Sequence, residues 1–319
     1  MFKIGLIGAG ALGSRLSIQL KAAGYDITLL DNWSERVNSI QTEGMIVKSE
    51  LRTYAIEMPI DHLETNEASF DLIILTTKSY QVEETVETLL RRGTITSQTR
   101  VISMVSGLGH TKVLRQYIPS SQLYLAITTW PSYLNQAGEI HLYGQGHISL
   151  QRADGKHDAE TARIVDMFND AKLNASVSDD ITVAIWEQAI IDSTIQPLCT
   201  IFDKTVHEFS SNPEAPELVS LLVHEAVQVA EAQNIQLDSE AIIQTIKDAS
   251  HFTTQGFHYP SMHQDVTRGR SNEIDALNGQ IVKYAQASNI KAPNHEAVVT
   301  LIRDFAQIYT DKIEYVLEP

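Results

Sequence analysis

The sequence contains one cysteine, Cys199, in 319 residues. A single thiol cannot form an internal disulfide, and no Cys/His spacing typical of a metal site surrounds it, so we predict no metal site and a reducing compartment. We expect Cys199 to be a small buried apolar residue. No apolar run approaches the roughly 18 residues that a membrane span needs. Because a strand pattern starts at Lys3, we also expect no signal peptide and a cytoplasmic protein.

Basic residues are also scarce. Lys and Arg number 24 against 40 Asp and Glu, which gives a net charge of −16 at pH 7. Such a surface repels phosphate backbones and anionic lipids, so we expect neither nucleic acid nor a membrane as a partner. A small anion can still bind where several donors gather locally. The apolar fraction of 43% is ordinary for a globular protein, and the length predicts about two domains.

The first half of the chain alternates short apolar runs with helical patterns. Runs that are apolar throughout are typical of a parallel sheet covered on both faces. The predicted strands are Lys3–Ile7, Ile27–Leu30, Leu72–Thr76, Val101–Val105 and Leu123–Ile127. Helical patterns at Ala11–Ala23 and Val82–Arg91 complete the strand–helix repeats of a doubly wound α/β domain. Two later runs, His141–Tyr143 and His147–Leu150, flank Gly144-Gln-Gly146 and predict a hairpin that closes the sheet.

The second half, from about Ile181 onward, is helical, and strand-like alternation is nearly absent. The predicted helices are Ile181–Ile195, Glu214–Gln233, Ser239–Ala249, Asn272–Ala287 and Glu296–Tyr315. We place the boundary at the polar stretch Ser178-Asp179-Asp180, which can cap the following helix. The sequence therefore predicts an α/β domain over residues 1–178 and an all-α domain over residues 179–319.

A glycine-rich loop, Gly8-Ala9-Gly10-Ala11-Leu12-Gly13, lies directly between the first strand and the first helix. Gly8 permits the tight turn, Gly10 lets the backbone approach a pyrophosphate, and Gly13 lets helix and strand pack closely. The helix N-terminus then offers unpaired N–H groups and a positive dipole to the phosphates. Because strand, helix and next strand follow in register, the loop predicts a Rossmann-type dinucleotide site rather than a bare tight turn.

Two charged residues follow neighbouring strands. Asp31 ends the second strand, where a carboxylate normally accepts hydrogen bonds from the adenosine ribose hydroxyls. Since a carboxylate repels a 2′-phosphate, Asp31 favours NADH, and NADPH stays open; no arginine immediately follows, and Arg36 is five residues on. Lys78 could supply a cation at the coenzyme's edge. The alternatives are a helix cap or solvated turn for Asp31 and a solvated surface lysine for Lys78.

Three polar residues, Gln188, Asp192 and Gln196, recur every four residues on an otherwise apolar helix, so they share one face. We call these three residues the polar stripe. An unpaired buried polar group costs about 1–3 kcal/mol, so the stripe either forms a structural hydrogen-bond network or lines a wet cleft. Pro197 cannot donate a backbone N–H, so we expect the helix to be disturbed there.

A second polar cluster begins at Ser261, which predicts a helix start, with Gly269 ending that helix. Another helix is predicted to begin near Ser271, with Glu273 in its first turn. The cluster is either a solvated connection or part of a site. Histidine is a common general acid, but helical spacing turns His263 sideways from Ser261, so we do not expect His263 to be catalytic.

Taken together, these motifs resemble the ketopantoate reductase (2-dehydropantoate 2-reductase) family, including its branch of NAD-dependent D-2-hydroxyacid dehydrogenases. The resemblance covers essentially the whole chain. Four segments carry the resemblance. In the first half they are Gly8 to Gly13 and Thr76-Thr-Lys78. In the second half one segment runs from Trp186 and Gln188 to Pro197-Leu198, and the other runs from Pro260-Ser-Met-His-Gln-Asp265 to Glu273-Ile-Asp-Ala-Leu-Asn278-Gly279. It implies a Rossmann domain, a helical second domain, a substrate cleft between them, and a small-molecule substrate, and it leaves a homodimer open.

The resemblance also implies a reaction. Hydride passes from the nicotinamide to a 2-keto acid and yields the D-2-hydroxy acid, while a proton donor stands beside the keto oxygen. The family's proton-donating lysine corresponds to Gln188, and its two stripe asparagines correspond to Asp192 and Gln196. Its substrate-binding serine and its lysine-holding glutamate are kept as Ser261 and Glu273.

One further family position lies near the nicotinamide. The asparagine that precedes a Gly-x-Gly segment is Ser106 in this chain, before Gly107-Leu-Gly109. The glycine loop therefore matches the family pattern, whereas the proton donor and several contact residues have changed.

Because Gln188 can donate a hydrogen bond but cannot transfer a proton, three functions stay open. The first is a working reductase of 2-dehydropantoate or a related branched 2-keto acid, in which Asp192 and Glu273 share a proton or water relays it. The second is a catalytically impaired dinucleotide-binding homologue. The third is an oxidoreductase for another substrate, such as an imine, because the Asp192 carboxylate disfavours an anion. We favour the first.

Overall fold

The computed structural model describes residues 2–49, 52–251 and 257–317. The chain divides into two compact units, one of Met1–Val105 with His110–Ile181 and one of Ser106–Gly109 with Thr182–Pro319. The domain boundary placed after Ser178 stays a prediction. The short loop Ser106–Gly109 groups with the second unit although it lies within the first 178 residues of the sequence.

The first unit is mixed α/β. Its strands are β1 (Lys3–Ile7), β2 (Asp26–Asp31), β3 (Met45–Ser49), β4 (Thr53–Ile56), β5 (Ile60–His62), β6 (Leu72–Leu75), β7 (Arg100–Ser103), β8 (Leu123–Thr128), β9 (Tyr133–Gln136), β10 (Glu139–Leu142), β11 (Ile148–Arg152) and β12 (Ala175–Val177). Its helices are α1 (Ala11–Ala22), α2 (Ser34–Glu43), α3 (Val82–Arg91), α4 (His110–Tyr117) and α5 (Ala159–Asp170).

Eight of these strands form one sheet in the order β12-β11-β8-β7-β6-β1-β2-β5, in which only β11 against β8 is antiparallel. The central strands are buried along nearly their whole length, which is why they appear in the sequence as continuous apolar runs. The predicted doubly wound parallel sheet with a helical second part is confirmed.

The hairpin predicted across Gly144 is wrong. β10 pairs with β3 and β9 in a separate four-stranded sheet of order β4-β3-β10-β9, whereas β11 pairs with β8 and β12 in the large sheet. The glycines instead allow close packing, because a Cβ atom on Gly146 would lie 2.5 Å from the backbone of Trp130 and one on Gly144 would lie 2.9 Å from the Pro131 ring. Crowding of this kind selects the same small residues as a tight turn.

The second unit is helical. Its helices are α6 (Ile181–Phe202), α7 (Val206–Ser210), α8 (Ala215–Ala232), α9 (Ser239–Ala249), α10 (Ser261–Thr267), α11 (Asn278–Ala287) and α12 (Pro293–Leu317). The prediction that the first of these ends at Ile195 is wrong, because α6 continues through Pro197 for another turn. Among the residues that the structure describes, no helix has both the length and the apolar character needed to cross a bilayer.

The helix predicted to begin near Ser271 starts only at Asn278. The Asn272 side chain accepts the Ile274 N–H at 3.0 Å, a local bond that competes with helix formation. The Glu273 carbonyl then accepts the N–H groups of Ala276 and Leu277, each at 3.0 Å. Glu273 therefore lies in a turn before α11 and not in the first turn of a long helix.

A buried polar network runs through the apolar core of the second unit. Asn278 and His295 are both fully buried, and the Asn278 Nδ2 atom lies 3.0 Å from His295 Nδ1. His295 Nε2 lies 3.0 Å from the Leu222 carbonyl oxygen. The backbone N–H of His295 donates to the Glu225 carboxylate at 2.8 Å. Burial lowers the pKa of His295, so the imidazole is neutral near pH 7.

Candidate functional site

The glycine loop lies at the carboxyl edge of the large sheet, directly after β1. The N–H of Gly8 donates to the Leu30 carbonyl at 2.8 Å, and the Thr76 hydroxyl is 2.9 Å from the carbonyls of both Ile7 and Gly8. Because β1 pairs in parallel with β2 and β6, the residues that follow the three strands meet at one edge. The Gly8–Gly13 loop and Lys78 follow β1 and β6, and Asp31 is the last residue of β2.

The three glycines of the loop have different surroundings, and the fold itself requires only Gly8 and Gly13. Gly8 has a φ of +97°, a conformation that L side chains rarely adopt. A Cβ on Gly13 would lie 1.9 Å from the Gly8 carbonyl oxygen, so Gly13 is required by the contact between helix and turn. A Cβ on Gly10 would meet no atom within 4 Å. The fold itself therefore leaves open space at Gly10, where a pyrophosphate can approach the backbone.

The first turn of α1 presents donors beside this space. Gly10 is the N-cap residue of α1. Because glycine has no side chain, it makes no capping hydrogen bond to the N–H groups of the first turn. Ala11 and Leu12 follow at half-buried positions, while the Ser14 hydroxyl donates back to the Ala9 carbonyl at 3.1 Å. Free N–H groups and the positive end of the helix dipole together favour an anion.

Asp31 is buried and already bound on both carboxylate oxygens. Oδ2 accepts the Ala9 N–H at 2.7 Å and lies 3.0 Å from Arg36 Nη1, while Oδ1 accepts the Trp33 N–H at 2.8 Å. The Arg36 guanidinium also lies over the Trp33 ring, 4.4 Å from its centroid. Asp31 thus fixes the glycine loop, and Arg36 partly neutralises its charge.

Lys78 is half-buried and follows β6 by three residues, at the start of the short 3₁₀ turn Ser79–Gln81. Ser106 belongs to the loop that groups with the second unit. That loop is fixed to the turn that starts at Glu273, because the Leu108 N–H donates to the Ala276 carbonyl at 2.8 Å. A Cβ on Gly107, whose φ is +89°, would lie 2.8 Å from the same carbonyl oxygen.

The polar stripe occupies a half-buried face of α6. Gln188, Asp192 and Gln196 are each partly exposed, whereas the intervening residues Ala189, Ile190 and Ser193 to Ile195 are buried. The stripe therefore borders the helical core and does not lie within it. Partial access to solvent lets these side chains bind a polar ligand without the full cost of buried unpaired groups.

The structure joins two of the predicted substrate-binding residues directly. The Ser261 hydroxyl donates to Gln196 Oε1 at 3.0 Å, and the Met262 N–H lies 3.4 Å from the same oxygen. The amide oxygen of Gln196 is therefore engaged by the start of α10. Its Nε2 group faces away from that bond by the geometry of the amide and retains two donor hydrogens.

Glu273 is buried in the turn before α11. The hypothesis that it shares a proton with Asp192 stays a prediction.

Two further titratable residues have structural roles. His263 is buried, lies 2.7 Å from Asp203 and stacks on Tyr259 with 4.2 Å between ring centroids. Burial raises the pKa of the Cys199 thiol to about 12, so this cysteine is protonated and a poor nucleophile.

Sequence reasoning missed two contacts at these sites. Arg36 lies five positions beyond Asp31, and only the turn into α2 brings it back onto the carboxylate. The Gln196–Ser261 bond joins residues 65 positions apart. A basic residue in the first turn of the helix after β2 is the signal that could have indicated the first contact, and no local pattern indicates the second.

Comparison with known proteins places these features in a family. The sequence model described as "Ketopantoate reductase PanE/ApbA" matches residues 4–155, and that described as its C-terminal part matches residues 180–306. A 2-dehydropantoate 2-reductase of Streptococcus pyogenes serotype M3 is 32% identical over 298 residues, covering 93% of this chain and 95% of that protein. One of Lactococcus lactis is 28% identical over 313 residues, covering 97% of this chain and 100% of that protein.

A solved structure shares the fold over nearly the same length. It is the ternary structure of a D-mandelate dehydrogenase with NADH and anilino(oxo)acetate, 30% identical to this chain with a TM-score of 0.91. The match covers 96% of this chain and 99% of the dehydrogenase.

The open space at Gly10 generates a test. Gly10→Thr should leave the melting temperature nearly unchanged, because Thr and Gly are similar as N-caps. It should weaken NADH binding about tenfold or more, since the new side chain occupies the space and its hydroxyl competes for the helix N–H groups. Fluorescence titration with NADH measures the change. Gly13→Ala is the contrasting variant and should lower the melting temperature; a Gly10→Thr protein that binds NADH as tightly as wild type would contradict this assignment.

Proposed function

Because the chain belongs to the ketopantoate reductase PanE/ApbA family, we propose that it transfers hydride from a reduced nicotinamide dinucleotide to a 2-keto acid and forms the D-2-hydroxy acid. The observation that carries this proposal is the glycine loop, in which Gly8 and Gly13 are required by the fold while Gly10 borders open space. A ligand that approaches the backbone accounts for the absence of a side chain at Gly10.

The names of the relatives support the substrate class that we propose. The Streptococcus pyogenes and Lactococcus lactis proteins are named for 2-dehydropantoate, a branched 2-keto acid. The structural relative is named for mandelate, whose oxidised form is an aromatic 2-keto acid. All these compounds carry a carboxylate next to the reacting carbonyl. We therefore assign this chain to branched or aromatic 2-keto acids, with 2-dehydropantoate as the first candidate.

Gln196 and Ser261 are the proposed substrate-binding pair. With its oxygen held by Ser261, Gln196 can turn only its Nε2 donors toward a ligand, and such donors suit a carboxylate. The Ser261 hydroxyl hydrogen is used in the same bond, so its oxygen remains as an acceptor. The pair is thus oriented before the substrate arrives, which lowers the entropic cost of binding.

Proton delivery is the step for which this chain needs its own solution. A bound reduced nicotinamide supplies the hydride, and the carbonyl oxygen then requires a proton. Gln188 can hold that oxygen by a hydrogen bond but cannot supply the proton. We propose that the carboxyl groups of Asp192 and Glu273 hold the proton between them, with a water relay as the alternative route.

Coenzyme preference follows from the contacts of Asp31. Its carboxylate disfavours a 2′-phosphate, so the chain favours NADH, as the residue pattern predicts. The Arg36 guanidinium, 3.0 Å from Asp31, offsets part of that repulsion and offers a phosphate ligand. We therefore propose NADH as the better coenzyme, with NADPH accepted more weakly.

Substrate turnover tests the proposed reaction. Purified protein should oxidise NADH with 2-dehydropantoate, 2-ketoisovalerate or phenylglyoxylate, and Asp192→Asn should lower kcat about 100-fold or more because a proton donor is lost. Loss of NADH absorbance at 340 nm is the measurement. Glu187→Asn on the same helix is the control for loss of a carboxylate. If protein that binds NADH turned over none of these acids, the proposed reaction would be wrong.

A catalytically impaired homologue is the second candidate, and Gln188 is the observation that favours it. In that case NADH binds without being oxidised, and Glu273→Ala changes nothing measurable. Gln188→Lys should then create reductase activity by restoring an amine at this position, to at least about tenfold above background. Glu187→Gln changes the net charge of α6 by the same +1, through loss of a carboxylate, and serves as the control. Measurable turnover by wild type at a rate equal to that of Gln188→Lys would eliminate this candidate.

The Asp31–Arg36 pair generates a coenzyme test. Arg36→Gln should raise KM for NADPH about fivefold to tenfold more than KM for NADH, because loss of one nearby charge changes binding of a 2′-phosphate by about 1 kcal/mol. Steady-state kinetics with both coenzymes measures the ratio. Arg52→Gln is matched to it, since Arg52 also lies over an aromatic ring, 4.7 Å from the centroid of Tyr54. An unchanged ratio in Arg36→Gln would show that Arg36 plays no part in selection.

A further inference from the structure

Pro197 creates a specific defect inside α6. In a regular helix, the carbonyl of residue 193 accepts the N–H of residue 197, but proline has no N–H and its ring pushes against that carbonyl. The helix nevertheless runs unbroken from Ile181 to Phe202. Ser193 is buried, so its carbonyl has little access to water as a replacement donor. Another group must therefore satisfy it.

Asn278 is that group. Its Nδ2 atom lies 2.8 Å from the Ser193 carbonyl oxygen, and the side chain is fully buried at the start of α11. The orientation of the amide is determined, because a carbonyl can only accept a hydrogen bond. The Asn278 Oδ1 atom has no hydrogen-bond partner among the described residues. The hydrogen bonds of the Asn278 side chain among the described residues are therefore those that its Nδ2 group donates.

His295 holds the amide in that orientation. With Asn278 Nδ2 as the donor at 3.0 Å, His295 Nδ1 must accept, so the imidazole hydrogen lies on Nε2 and donates to the Leu222 carbonyl. The Glu225 carboxylate accepts hydrogen bonds from the backbone N–H of His295 and from the backbone N–H and side-chain Nδ2 of Asn294. The amide is therefore also anchored to α12 and, through His295, to α8.

We propose that Asn278 is a positioning residue for the polar stripe: its side chain replaces the missing N–H of Pro197 and fixes the part of α6 that carries Asp192 and Gln196. Ser193 directly follows Asp192, so the replaced bond lies between these two stripe residues. Small displacements of reacting groups lower turnover steeply. This inference depends on the proposed function for its effect on catalysis, but the replaced hydrogen bond is independent of it.

A double-mutant cycle tests the inference. Asn278→Leu removes the donor at similar volume, and Pro197→Ala restores the backbone N–H. We expect kcat/KM for the 2-keto acid to fall about tenfold or more in Asn278→Leu, to stay within about twofold in Pro197→Ala, and to return to within about threefold of wild type in the double variant. NADH binding should be unchanged in all three. Melting temperatures are measured on the same proteins.

Ile281→Ala, with and without Pro197→Ala, is the matched control, because Ile281 is a fully buried core residue on the same helix as Asn278. It should lower the melting temperature, and Pro197→Ala should not restore it. If Pro197→Ala restored the control as well, or failed to restore kcat/KM in the Asn278 background, the positioning role would be wrong.

Two further outcomes are decisive. If Asn278→Leu does not fold, the double variant should fold, and a double variant that also fails overturns the inference. If wild type turns over no 2-keto acid, the proposed function is wrong, and the positioning role falls with it. Recovery of the melting temperature in the double variant would then still support the hydrogen bond itself, and lack of recovery would disprove that too.

Discussion

The first unit depends on how closely α1 approaches the turn that follows β1. Gly13 lies so near the Gly8 carbonyl that no side chain can be placed between them. This contact sets the position of the N-terminus of α1 at the edge of the sheet. Asp31 holds the same turn, because its carboxylate accepts the Ala9 N–H at 2.7 Å. The anion site proposed at Gly10 would rely on this packing, because the core holds the donor N–H groups in place before any ligand arrives.

In the second unit, the main constraint is that the mostly apolar helix α6 carries polar groups that need hydrogen-bond partners or access to solvent. Gln188, Asp192 and Gln196 lie at half-buried positions, whereas Ser193 and Asn278 are wholly buried. Gln196 is held by Ser261, and the Ser193 carbonyl is held by Asn278. The half-buried polar face of α6 is thus distinct from the buried carbonyl that Asn278 satisfies, although both belong to one stretch of the helix.

Local sequence patterns predicted what local physics determines. The buried strands of the large sheet, the glycine loop and the start of α10 at Ser261 follow from apolar runs, φ requirements and helix signals. The hairpin across Gly144 was wrong because crowding against Trp130 and a tight turn select the same small residues. The contacts between Gln196 and Ser261 and between Ser193 and Asn278 span 65 and 85 positions, so only the folded chain shows them. The proton donor could not be predicted in the same way. The residue type shows that Gln188 cannot supply a proton, but it does not show which other group does.

The buried state of Cys199 has a practical use. Cys199 is the only thiol of the chain, and burial on α6 keeps it protonated. We therefore expect it not to react with maleimide or iodoacetamide while the protein is folded. A cysteine introduced at any exposed position would therefore be labelled alone, without prior removal of a native one. Pairs of such labels, one in each unit, would allow distances between the two units to be followed by fluorescence energy transfer as coenzyme and keto acid are added.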